Sequence, residues 1–165
     1  MRIISIFIIF LGLTACKKDK AGTAGEQVEI YLLASYQTAG NECRVIPSLA
    51  RLESSPLVQN RQIKEYSAGN FAFTVTADAL ERIKALPGRT AFAVTIDRKV
   101  VYYGFYMPAI MSSTCFESIT MDISWTNPRI FMSLGYPGIF SPQVEDQRNH
   151  PDLLRTLEAQ GKLRP

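Results

Sequence analysis

Apolar and polar residues alternate along much of the second half of the chain. In SITMDISW, residues 118–125, every second residue is apolar, and Trp125 closes the series. A period of two is typical of a strand with one face on a core and the other in water, so we expect Trp125 to pack inward. The runs TAFAVTI and VVYYGFYM flank Asp97-Arg98-Lys99 and predict a β-hairpin, although a glycine is usual where Arg98 stands.

Further segments favour strands or helices. ADALERIKAL follows Thr76, a good N-cap, and PDLLRTLEAQ starts at Pro151; both space their apolar residues for one face of a helix. Asn60 is expected to cap a third, short helix over residues 61–66. Strands are also predicted over residues 28–34, near 44–46 and 50–52, and over 70–75 and 129–134. The pattern predicts an α+β fold, an antiparallel-rich sheet with about two to three helices packed on one face.

Length and composition agree with one folded domain. The chain has 165 residues, of which 47% are hydrophobic and 20% are charged. These fractions are ordinary for a single globular domain. The net charge is only +3, and acidic and basic residues are mixed along the chain without a basic block. Nucleic acid is therefore not an expected partner.

The amino terminus combines a cation, an apolar run and a cysteine. Arg2 precedes an apolar run over residues 3–13, and Leu13-Thr14-Ala15-Cys16 follows. The run is shorter than the roughly 20 residues of a membrane-spanning helix and matches the apolar region of a signal peptide. Leu13-Thr14-Ala15-Cys16 resembles the lipobox of bacterial lipoproteins. The resemblance implies cleavage before Cys16, a diacylglyceryl thioether on its sulfur, and an acyl chain such as palmitate on the new amino terminus. An ordinary secretory signal with a chance cysteine is the alternative.

These patterns divide the chain into three parts. We predict a signal peptide over residues 1–15, a flexible tether over 16–27 and a single α+β domain over 28–165. The tether segment KKDKAGTAGE is small and charged, with too few apolar residues to fold by itself. In lipoproteins an aspartate directly after the lipidated cysteine favours retention in the inner membrane, and Lys17 stands there. The resemblance therefore implies the outer membrane, facing the periplasm, with exposure at the cell surface left open.

Two cysteines remain besides Cys16. An exported domain lies in an oxidising compartment, where Cys43 and Cys115 are candidates for a disulfide. The bond would add roughly 4 kcal/mol in the chain-entropy account. The alternatives are two buried free thiols or a metal site, and the metal site is disfavoured because the chain has no CxxC motif and His150 is its only histidine.

The middle of the chain carries a second resemblance. The order PLVQNRQIKEY, TADALERIKAL and AFAVTIDRKVV, within residues 56–123, is similar to the first periplasmic, or head, domain of SecD-type protein-export subunits. Arg98 replaces the turn glycine of that family, and Pro108 lies later than its usual proline. The matching positions are Pro56-Leu57-Val58, Ile63, Ala93-Val94, Ile96-Asp97 and Lys99-Val100. The resemblance implies a related fold and a role in export or envelope assembly. The chain also resembles small uncharacterised lipoproteins of Gram-negative bacteria.

Catalytic motifs are not evident in the sequence. GxSxG, HExxH, SxxK and phosphate-cradling glycine loops do not occur. His150 stands beside Asn149 and Pro151 at a predicted helix start, where a solvated or capping role is expected rather than catalysis. The hydroxyls of Ser112-Ser113-Thr114 lie in a loop with no obvious base. The carboxylates Asp97, Glu117 and Asp122 could cluster, but carboxylates on the solvent-facing side of a strand are the usual case. We therefore expect no enzyme, cofactor or metal.

The aromatic strand VVYYGFYM suggests binding. Side chains alternate along a strand, so Tyr103 and Phe105 face one way while Tyr102 and Tyr106 face the other. We expect one set in the core and consider Tyr102, Tyr103 and Tyr106 a possible binding surface, unless a terminal helix covers it. The predicted function is a lipid-anchored envelope lipoprotein acting as a non-catalytic binding or accessory domain. The alternatives are an export or envelope-assembly helper and a weak hydrolase or carbohydrate-active protein.

Overall fold

A nine-stranded sheet dominates the computed structural model, which describes residues 25–40, 43–138 and 144–165. The strands are β1 (Val28–Ser35), β2 (Arg51–Leu52), β3 (Ile63–Ser67), β4 (Ala72–Val75), β5 (Ala91–Ile96), β6 (Lys99–Tyr106), β7 (Cys115–Ile123), β8 (Arg129–Tyr136) and β9 (Leu163–Arg164), and the α-helices are α1 (Ala77–Lys84) and α2 (Pro151–Ala159). The strand order is β2-β1-β5-β6-β7-β8-β4-β3-β9. Only β6–β7 and β3–β9 are parallel among the described pairs. The predicted antiparallel-rich mixture of α and β structure is confirmed.

Strand β1, near one end of the sheet, is hydrogen-bonded to the segment that leads into β3, near the other end. Ile30 in β1 forms an antiparallel bridge with Val58. The side chain of Asn60 accepts a 3.2 Å hydrogen bond from the backbone N–H of Val28, and its carbonyl accepts one of 2.7 Å from Lys162 Nζ. These bonds connect β1, near one end of the strand order, to the part of the chain next to β3 and β9 at the other end.

Two apolar clusters lie on opposite sides of β6. Tyr102 and Tyr106 belong to the larger cluster, which also receives side chains from both helices, among them Ile83 and Leu157. The smaller cluster contains Cys43, Val45, Ala91, Phe105, Met107 and Cys115. A strand that is covered on both faces is expected to be apolar throughout, which explains the run VVYYGFYM.

The predicted hairpin of β5 and β6 is confirmed. Its turn places Asp97 at φ 48° and Arg98 at φ 62°, the left-handed conformation that glycine or asparagine usually supplies. The Asp97 carboxylate accepts a 2.8 Å hydrogen bond from the Gln27 N–H, and the Arg98 guanidinium lies 4.8 Å from the centre of the Tyr31 ring. These contacts hold the turn without a glycine.

The predicted helix over residues 61–66 is wrong. A single 3₁₀ turn, Asn60–Gln62, is followed directly by β3. Ile63 pairs with Val75 and Tyr66 pairs with Phe73, and the side chains of Ile63 and Tyr66 are buried. Cross-strand pairing and burial therefore outweigh the local preference of this polar segment for a helix.

The prediction that Trp125 packs inward is also wrong. Strand β7 ends at Ile123, and the Trp125 side chain is 65% exposed. The Ser124 N–H donates to the Arg129 carbonyl at 2.8 Å, which closes the turn into β8 before the alternation reaches Trp125.

Both longer predicted helices are confirmed as α1 and α2, while β9 was not predicted.

Gly104 is a point of close packing between β5, β6 and β7. A Cβ atom there would lie 2.5 Å from the Ile119 carbonyl oxygen and would also overlap the ring of Phe92. We expect Gly104→Ala to lower the free energy of unfolding by about 1–3 kcal/mol, because the Ile119 backbone or the Phe92 ring must move to make room for the Cβ atom. Urea denaturation measures the loss. Gly69→Ala is the control, since its Cβ would meet no heavy atom closer than 3.7 Å, and an equal loss in both variants would contradict the packing argument.

Candidate binding site

A cleft opens between β6 and β7 where the two strands separate. Their parallel ladder runs only from Gly104 opposite Ile119 to Tyr106 opposite Met121. The preceding residues of both strands diverge and leave a cavity of about 240 Å³. We call this cavity the β6–β7 cleft. Its size suits an amino-acid side chain or a small ligand group.

Residues from four parts of the chain line the cleft. Tyr102 and Tyr103 supply aromatic surface from β6, and Glu117 and Glu145 supply carboxylates. The other lining residues are Arg44, Val45, Val101, Ser118, Ile119, Val144 and Gln147. Aromatic and aliphatic walls with a few polar groups are the usual composition of a non-covalent binding site.

The predicted aromatic surface is divided by the fold. Tyr103 is half-buried and Tyr102 is 4% exposed, and both line the β6–β7 cleft. Tyr106 is 2% exposed, packs in the larger cluster and does not line the cleft. Burial raises the pKa of all three phenols, so each is neutral at ordinary pH.

The Tyr102 hydroxyl is buried and has no hydrogen-bond partner among the described residues. Burial raises its pKa well above the ordinary tyrosine value, with smaller influences from Tyr66, Arg148 and Asp146. An unpaired buried hydroxyl costs about 1–3 kcal/mol. The hydroxyl is therefore an uncompensated polar atom within the larger cluster.

One wall of the cleft depends on Arg148. This side chain is 7% exposed, pairs with Asp146 at 2.7 Å and donates to the Met132 carbonyl at 3.0 Å. Its guanidinium lies 3.5 Å from the centre of the Phe71 ring, and Phe71 itself adopts φ 50° just before β4. The hydrogen bond and charge of Arg148 lower the pKa of Asp146. Together these contacts hold residues 144–148 against β8 and β4.

The predicted disulfide between Cys43 and Cys115 is confirmed. Their Cα atoms are 5.5 Å apart, and both residues are buried in the smaller cluster. The bond ties the segment containing Arg44 and Val45, which form part of the cleft wall, to the start of β7. A second cavity of about 480 Å³ beside the disulfide is lined by Cys43, Arg89, Ser112, Ser113, Thr114, Phe116 and Glu117.

The remaining candidate residues lie in separate places. Asp97 lies in the β5–β6 turn, Glu117 borders the cleft, and Asp122 lines a groove on β7 and β8. Burial raises the pKa of Asp122. His150 caps α2, as predicted, because its Nδ1 accepts a 3.2 Å hydrogen bond from the Asp152 N–H. Across residues 25–40, 43–138 and 144–165, no group of three or more histidine, cysteine or acidic side chains is placed to hold a metal ion.

Sequence reasoning identified the tyrosines but missed the opposite walls of the cleft. Arg44 and Glu145 lie far from β6 in sequence, and no local pattern connects them to it.

The predicted lipobox Leu13-Thr14-Ala15-Cys16 lies outside the described residues. In the part of the chain that the structure describes, no helix has the length and apolar character needed to cross a bilayer. No protein-family model, curated protein or solved structure matches this chain.

Two tyrosine-to-phenylalanine changes test the state of the Tyr102 hydroxyl. We expect Tyr102→Phe to leave the free energy of unfolding unchanged or to raise it by about 1 kcal/mol, because the lost hydroxyl has no partner. Tyr66→Phe is the matched comparison, since that hydroxyl bonds the Arg148 carbonyl and Asn149 Oδ1, both at 2.9 Å. It should lose about 2 kcal/mol in urea denaturation. A loss at Tyr102 equal to that at Tyr66 would show that Tyr102 is paired.

Removal of the disulfide tests the stability of the cleft wall. Replacing Cys43 and Cys115 by serine should lower the free energy of unfolding by about 4 kcal/mol, because the bond closes a long loop of the unfolded chain. Denaturation with and without a reductant measures the effect. Reductant should weaken the natural protein and leave the double variant unchanged. A natural protein that is indifferent to reductant when fully unfolded and refolded would contradict this expectation.

Proposed function

We propose that the chain is a lipid-anchored lipoprotein of the cell envelope whose folded domain is a non-catalytic binding or accessory module. The anchor is an acylated Cys16, the location is the outer membrane facing the periplasm, and residues 16–27 form the tether. The lipobox-like motif and its short apolar leader support the anchor. Two or more acyl chains attach a protein stably to a membrane, whereas one chain binds reversibly.

The cysteines carry the proposal. The chain has three cysteines, and Cys43 is bonded to Cys115. Cys16 is therefore the one cysteine left for another chemistry, and it stands where lipoproteins are acylated. A disulfide also fits export, because such bonds persist in oxidising compartments such as the periplasm.

The β6–β7 cleft supports the binding role. The half-buried Tyr103 offers aromatic surface, and Glu117 and Glu145 offer carboxylates. We propose that the cleft accepts an apolar or aromatic group that carries a hydrogen-bond donor. The same curved sheet is proposed to hold both helices on one face, since α1 and α2 contribute to one cluster through residues such as Ile83 and Leu157.

Acyl labelling of Cys16 variants tests the anchor. In cells given labelled palmitate, the natural chain should carry label and fractionate with membranes, while Cys16→Ser should lose both. The control replaces Cys43 and Cys115 by serine, and it should keep the label because those residues form the disulfide. A Cys16→Ser protein that is still acylated, or a natural chain without label, would refute the anchor.

A further inference from the structure

Two loops leave the sheet near the carboxyl-terminal end of β7. The first contains residues 107–114 and connects β6 to β7, and the second contains residues 124–128 and connects β7 to β8. The Met107 N–H bonds the Met121 carbonyl at 2.8 Å, and the Asp122 carboxylate accepts a hydrogen bond from the Ala109 backbone. The first loop therefore leaves the sheet within a few residues of Trp125. We call these segments the paired loops.

The paired loops expose the two most accessible large apolar side chains of the described residues. Ile110 is 83% exposed and Trp125 is 65% exposed. A single exposed apolar residue is ordinary, but here two lie on loops that both leave the sheet at one end of β7. The loop sequences MPAIMSST and SWTNP contain no charged residue in a chain with 20% charged residues. A loop that faces only water does not need to be free of charged residues.

We propose that the paired loops insert into the headgroup region of a phospholipid bilayer. Tryptophan favours this interfacial region, where its ring is apolar and its N–H remains hydrated. Uncharged loops can enter without removing an ion from water, which is the main cost of insertion. Arg129 follows the second loop, pairs with Glu65 at 3.8 Å and is still 44% exposed, so its free side can face anionic headgroups.

The tether is long enough for this contact. Val28 pairs with Ile96 at the end of the sheet where β6 begins, so the tether joins the domain roughly one strand length away from the paired loops. Eight residues of β6 span about 26 Å. Glu26 and Gln27 are hydrogen-bonded to the domain, so the part of the tether before them, residues 16–25, reaches about 33 Å when extended. The domain can therefore bring its loops to the bilayer that holds Cys16; in this respect the inference rests on the proposed function.

The chain contains its own reporter, because Trp125 is its only tryptophan. Full-length protein is mixed with vesicles of phosphatidylethanolamine and phosphatidylglycerol, with and without brominated acyl chains. Insertion should shift the emission of Trp125 to shorter wavelength and make it sensitive to bromine quenching. Flotation of the Ile110→Asp variant, whose loops should not insert, reports the Cys16 anchor separately, so failure of the anchor and failure of the loop contact are distinguishable.

Charged variants test whether the loops cause the contact. Ile110→Asp should reduce the quenched fraction of Trp125 emission about tenfold, because a carboxylate must lose water to enter the bilayer and is repelled by anionic headgroups. Leu49→Asp is the matched control, since Leu49 is 45% exposed on a different turn, and it should behave as the natural chain. Protein that floats without quenching, or quenching that survives Ile110→Asp, would overturn the proposal. A blue-shifted emission that depends on protein concentration in the absence of vesicles would also overturn it, in favour of a protein contact.

Discussion

The parallel pairing of β6 with β7 is the constraint on which the rest of the structure depends. Consecutive parallel strands require a connection that returns along the sheet. Residues 107–114 make that return, and they bring Cys115 beneath the segment that contains Cys43. The ladder covers only three residue pairs, so the strands diverge below Gly104 and leave the β6–β7 cleft. The disulfide, the cleft and one of the paired loops thus share a single topological cause.

The burial of β6 on both faces explains why its tyrosines differ. Tyr102 and Tyr106 face the larger cluster, whereas Tyr103 packs beside the smaller one. Only Tyr102 and Tyr103 lie below the start of the ladder, and therefore only these two border the cleft. The sequence of β6 suggests one aromatic surface. The position at which β7 begins to pair with β6 divides its tyrosines into two groups.

The two proposed contacts lie on different parts of one body. The acylated amino terminus would join the domain at the start of β1, and the paired loops emerge beyond the end of β7. A domain held at both places would lie along the bilayer. The cleft, which is bounded by residues 144–147 and the disulfide segment, would then have a fixed orientation relative to the lipid surface.

Local sequence patterns correctly predicted the elements in which each face keeps the same environment from one end to the other. The β5–β6 hairpin, α1, α2 and the Cys43–Cys115 bond were all anticipated, because spacing, caps and cysteine number act within short segments or leave one pairing. Residues 61–66 became a strand because Ile63 and Tyr66 found partners in β4, and Trp125 turned outward because a hydrogen-bonded turn ended β7. The cleft walls also required the tertiary structure: Arg44, Tyr103 and Glu145 meet only when distant segments pack, and neither periodicity nor propensity carries that information.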